Sequence, residues 1–103
     1  MASPRPVWNP ALRELRVGDV LVKHFRTPAP NQELVLSAFE EQGWPMQIDD
    51  PLPPISKGNP KLRLRDTIAK LNRHQQTARM RFHGDGQGKA VRWELVVADE
   101  TSG

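Results

Sequence analysis

The sequence predicts a small α+β domain: an N-terminal strand pair, two main helices and a C-terminal β-hairpin. Three observations carry this. The windows Asn31–Gln42 and Pro60–Gln75 repeat apolar residues with helical period, while the segments before and after them alternate or cluster β-branched residues as strands do. Ten prolines and seven glycines punctuate the chain too often for a long helix or a coiled coil. At 103 residues and 37 % hydrophobic, the chain can bury one core and forms one domain, with little margin.

Residues 1–10 are Pro-rich with Trp8 as their only large apolar group, and read as a flexible arm whose Trp8 can dock on the body. The domain proper then covers 11–97. Val17–Phe25 places the β-branched stretch Val20-Leu21-Val22 after Gly18-Asp19, which reads as one strand or two short ones about that turn. Ala11–Arg16 fits either a helical turn or a further strand. In Asn31–Gln42, Leu34, Val35, Ala38 and Phe39 share one helical face, with Glu33 and Glu40 opposite. Thr27 or Asn31 is expected as its N-cap, and Gly43 with Pro45 as its stop. Met46-Gln47-Ile48 suits a very short strand, and five prolines make the rest of Pro45–Pro60 a stiff loop.

Asn59-Pro60 is a helix start, an N-cap residue followed by proline at the first position. Along Pro60–Gln75, Leu64, Ile68 and Leu71 form the apolar stripe, and placing residues 100° apart sets Arg63, Asp66, Lys70 and Arg73 on the other side. Leu62 and Ala69 flank that outer face. Ala78–His83 alternates Arg79 and Arg81 against Met80 and Phe82, and Ala90–Val97 alternates Val91, Trp93 and Leu95 against Arg92 and Glu94, around Gly84-Asp85-Gly86-Gln87-Gly88: a hairpin with a flexible turn and one basic face. Residues 98–103 read as a frayed end.

The charge is unevenly placed. Residues 1–60 carry six basic and seven acidic side chains, 61–92 carry nine and two, and 93–103 carry three acids only. One third of the chain therefore holds the whole positive excess, which suggests a polyanionic partner. Lys61 and Arg63 stand in the first turn of the second helix, the end where the macrodipole disfavours cations. Arg79, Arg81 and Arg92 are expected on one face of the hairpin, where like charges oppose each other unless an anion lies across them.

Other chemistries are poorly supported. The loop Gly84–Gly88 has G-x-G-x-G spacing before a strand, and Lys89 is followed by Ala90, so neither a dinucleotide nor a Walker motif fits. His24, His74 and His83 are scattered, and Asp49-Asp50 precedes Pro51 as turn residues do. No enzyme, metal or cofactor is expected. With no cysteine, no apolar run of membrane-spanning length and no apolar segment in Met1-Ala2-Ser3-Pro4-Arg5-Pro6, the expectation is a cytoplasmic protein that does not engage a membrane. Trp44 and Trp93 adjoin apolar positions and belong to the core rather than to a base-stacking platform.

The order of strand, helix, short strand, loop, basic helix and glycine-tipped hairpin resembles the winged helix-turn-helix, most closely the DNA-binding domains of response-regulator effectors. Val17–Phe25, Thr27–Trp44, Asn59–Gln75 and Ala78–Val97 carry the resemblance. It implies that Arg63, Thr67, Lys70, Arg73 and His74 face a major groove. It also implies that the wing residues Arg81, His83, Gln87, Lys89 and Arg92 touch backbone or minor groove. One departure is visible: the family's second helix would fall in Pro45–Gly58, where prolines reduce it to a turn or remove it. The expected function is regulatory binding of duplex DNA. RNA binding on the same basic surface and a protein-docking or homodimerising module are the alternatives.

Overall fold

The structure, a computed structural model, describes residues 5–96. Its elements run β1 (Pro6–Asn9), β2 (Glu14–Val17), β3 (Val20–His24), α1 (Pro30–Glu41), β4 (Gln47–Asp49), α2 (Pro60–Asn72), β5 (Met80–Gly84) and β6 (Ala90–Leu95). The class is α+β, with two helices and two three-stranded antiparallel sheets ordered β1-β2-β3 and β4-β6-β5. The expected frayed end, 98–103, lies outside the described residues. No described helix is long and apolar enough to cross a membrane.

The N-terminal sheet is larger than the expected strand pair. Residues Pro6–Asn9, expected in a flexible arm, pair with Glu14–Val17 as β1. Trp8 is the cause. Its ring is buried and meets Phe25 edge-on at 5.5 Å, its Nε1 donates to Ser37 Oγ at 3.1 Å, and its backbone N–H donates to Glu40 Oε1 at 2.8 Å. A buried aromatic contributes roughly 150–250 Å² of contact, enough to order a short strand against the body. Val17 and Val20 pair across Gly18-Asp19, so the expected turn joins two strands.

α1 starts one residue earlier than expected, and its N-cap is Ala29, with no side-chain cap from Thr27 or Asn31. Pro30 fixes the first helical position, and Glu33 reaches back to accept the Ala29 N–H at 2.9 Å. The buried residues are Val35, Leu36 and Phe39, while Leu34 is 41 % exposed. The buried arc is thus rotated from the expected one. The side carrying Glu33 and Glu40, expected to face away, is engaged by the N-terminal sheet: Arg13 pairs with Glu33 at 2.9 Å, and Glu40 holds both Trp8 and the Trp44 Nε1. The helix ends at Gln42 and Gly43, whose φ of +80° suits glycine's freedom from a Cβ clash.

One core joins both sheets and both helices. Phe39 lies at its centre, stacked on Trp44 at 5.0 Å and tilted against Phe82 at 6.2 Å. Trp44 is buried, as expected, and Trp93 packs edge-on against it at 5.7 Å while donating from Nε1 to Pro45 O. The short strand anticipated at Met46-Gln47-Ile48 forms one residue later as β4, and it pairs with β6 rather than standing alone. Residues 50–59 contain no helix. β5 is an edge strand, and Asn72 at the end of α2 takes both backbone groups of Phe82, accepting its N–H at 2.8 Å and donating to its C=O at 3.0 Å.

Candidate functional site

α2 is the element on which the exposed cations gather. Asn59 caps it as expected, its Oδ1 accepting from Lys61 N and Leu62 N, and Pro60 stands at the first position. The helix ends at Asn72, three residues before the expected Gln75. Leu64, Ile68 and Leu71 are buried, as their spacing requires, and Thr67 is buried with them. The reason is that α2 packs on two neighbours, β5 and α1, so its buried arc is wider than one stripe. Thr67, expected to face a groove, is 2 % exposed and donates from Oγ1 to Arg63 O at 2.8 Å. Arg63, beside it on the same flank, is half-buried, and its Nε has no partner. The outward ridge instead carries Lys61 and Arg65 toward one flank and Lys70 and Arg73 toward the other, with Leu62 and Asp66 between them; Lys70 pairs with Asp66 at 3.0 Å.

Two clefts close the ends of this ridge. Near the start of α2, Lys61, Leu64, Arg65 and Ile68 face the hairpin tip Gly84, Gly86, Gln87 and Gly88 across about 350 Å³. The tip, expected to be a flexible turn, is tied down. Asp85 Oδ1 accepts the N–H groups of Gln87 and Lys89 at 2.9 and 3.2 Å, and Asp50 N–H donates to Lys89 O. The Gln87 N–H above all, with that of Lys89, holds the Asp85 carboxyl below the usual carboxylate range. Gly88 has φ +73°, and a Cβ there would lie 2.5 Å from Lys61 Cγ, so only glycine lets the tip approach the helix this closely.

At the other end of α2, the loop between β3 and α1 faces Lys70, Arg73 and His74 across about 260 Å³. Lys23 lies beneath. It is 8 % exposed, its Nζ donates to Lys70 O and Arg73 O at 2.7 Å each, and it sits 5.5 Å from the Phe25 ring centre. A lysine from the N-terminal sheet thereby satisfies two carbonyls at the end of α2. Burial pushes its pKa down to about 8 from 10.5. Between those values the unfolded chain holds a proton that the folded one has released. Stability is therefore expected to rise with pH across that window through this group, by at most ~1.4 kcal/mol per pH unit. Urea unfolding of the wild type and of Lys23→Met at pH 8, 9 and 10 checks this. The wild type should gain relative to the variant, and parallel pH profiles would refute the assignment.

The hairpin cations lie elsewhere. Alternation puts Met80, Phe82 and Val91 on the core side of the sheet, and Arg81, His83 and Arg92 on the side away from it. The expected opposition of Arg81 and Arg92 does not occur, since the register sets Arg92 across from His83 instead. Arg81 stands directly across from Glu94, and His83 pairs with the same carboxylate through Nε2. Arg79, expected on that face, is half-buried before the start of β5. An internal acid thus answers the basic strand face. Of the ten expected site residues, Lys70, Arg73 and His74 come together at one cleft and Gln87 lines the other. Lys89 is exposed at the hairpin base, Arg81, His83 and Arg92 form a separate surface, and Arg63 and Thr67 turn inward. Sequence reasoning missed Arg65, His24 and Arg26 as cleft residues. The spacing of Lys61 and Arg65, one helical turn apart, was the available signal for the first of these.

Compared with known proteins, the chain matches no family model, no curated protein and no solved structure.

Proposed function

We propose that this chain is a nucleic-acid-binding module of winged-helix type whose ligand is duplex DNA. The observation that carries the reading is the ridge of exposed Lys61, Arg65, Lys70 and Arg73 on α2, continued by the hairpin tip at one end and by His24, Arg26 and His74 at the other. A helix of this length extends about 20 Å, comparable to the rise of some six base pairs. An N-terminal sheet before the first helix, and a basic helix followed directly by a hairpin, support the family resemblance. With the irregular segment 50–59 in place of a second helix, α2 would meet DNA braced by α1 and β5 rather than by a helix-turn-helix partner. On the outer sheet face Arg81, His83 and Arg92 form a separate basic surface, where His83 pairs with Glu94.

Leu62, 57 % exposed on the ridge, supports a second reading, an apolar docking face for a protein. The test is a salt titration of binding to a duplex, a single strand and duplex RNA of matched length. Phosphate binding through three or four side chains gives a log–log slope near −3 on the duplex. A slope near zero would replace the DNA reading with protein docking, and a preference for RNA would change the ligand.

A further inference from the structure

We propose that the cleft at the C-terminal end of α2 is a seat for a single phosphate group. The cleft is lined by His24, Arg26, Gln32, Lys70, Arg73 and His74 among others, and no carboxylate lines it. Its volume of about 260 Å³ is several times the roughly 30 Å³ share of one water, which leaves room for a tetrahedral oxyanion and its residual hydration.

Cations at a helix C-terminus ordinarily answer the negative end of the dipole and its unpaired carbonyls. Here that need is already met from beneath, because Lys23 occupies Lys70 O and Arg73 O. The side chains of Arg26, Arg73 and His74 are left facing the cleft, and none of them forms an ion pair within the described residues. Asp66 answers Lys70 at 3.0 Å, but Arg26, Arg73 and His74 meet no acid among the described residues, and a bound oxyanion would remove the cost of their mutual repulsion. Two guanidinium groups supply planar, paired donors that suit phosphate oxygens.

The backbone adds a second observation. His74 has φ +57°, a left-handed conformation that glycine or asparagine would adopt with less strain. An imidazole is held over the cleft at a position where stability alone favours glycine. Gln32 adds a third. Its side chain lines the cleft from the first turn of α1 and carries an amide that can donate.

The seat does not depend on the duplex reading, because inorganic phosphate alone probes it. The experiment titrates phosphate into the full chain at constant ionic strength, following the amide and imidazole signals of Arg26, Gln32 and His74. A saturable response is expected at those residues. Arg26→Ala and Arg73→Ala should each weaken it about tenfold, the scale of one charged hydrogen bond, while Arg81→Ala on the far sheet face leaves it unchanged. His74→Gly should weaken phosphate binding while thermal stability holds or rises, an outcome that a purely structural histidine would not give. A response that stays linear with phosphate, or an equal loss in Arg81→Ala, overturns the proposal.

A second arm identifies the source of the phosphate. If Arg26→Ala also weakens duplex binding and lowers its salt slope, the seat receives a strand phosphate. If a nucleoside monophosphate competes with phosphate while duplex affinity is untouched by Arg26→Ala, the seat serves a small phosphorylated molecule. Either result supports the seat, and failure of the duplex reading alone leaves the phosphate response intact.

Discussion

Phe39→Ala is expected to cost about 3–5 kcal/mol, the range for truncating a large buried aromatic. Phe39 is fully buried, and its ring meets Trp44 face to face and Phe82 at a tilt. Removing it leaves a void between Trp44 and Phe82 in the middle of the core. A domain of this size has only about 5–15 kcal/mol to lose, so the variant should unfold at a much lower urea concentration. Tryptophan emission reads the same event, because Trp44 loses its stacking partner. A midpoint shift worth less than ~1 kcal/mol would mean that the centre of the core lies elsewhere.

Lys70→Glu combined with Arg73→Glu should abolish duplex binding and leave the circular dichroism spectrum unchanged. Both side chains are exposed at the end of the ridge that faces the β3–α1 loop. The fold should tolerate the change. The Lys70–Asp66 pair lies on the surface, where such pairs contribute about 0–1 kcal/mol, and Lys23 bonds the backbone carbonyls of both residues, which substitution leaves in place. Binding should not tolerate it, because two phosphate contacts become two repulsions. An unchanged duplex affinity with an unchanged spectrum would remove α2 from the interface.

The sequence made legible those features that local chemistry decides. Asn59-Pro60 announced the start of α2, Leu64, Ile68 and Leu71 its core stripe, and the glycine-tipped alternation the β5–β6 hairpin. What was not legible depends on partners distant in the chain. The burial of Thr67 follows from α1 packing on the second side of α2, and α1 turns its Leu36 inward because the N-terminal sheet takes hold of Glu33 and Glu40. β1 was hidden because a Pro-rich segment with one tryptophan gives no alternation to read, yet that tryptophan finds a pocket 29 residues away at Ser37. The site divided for the same reason. Alternation identified Arg81 and Arg92 as outward-facing, but only the register brings Glu94 opposite Arg81. The contribution of Lys23 to the end of α2 spans 47 residues and leaves no local trace.

The clasp of Asn72 on Phe82 has a consequence for how the molecule behaves at high concentration. β5 is the open margin of its sheet, and an open margin is a template on which a second chain can add a strand. Phe82 stands at the midpoint of the five-residue β5, and the side chain of Asn72 saturates both of its main-chain groups. An incoming strand would therefore meet a blocked central position and could not keep its ladder in register past it. The amide at the end of α2 thus blocks strand addition at the centre of β5 as well as tying the helix to the sheet, beside the charge that Arg81 already places in the strand.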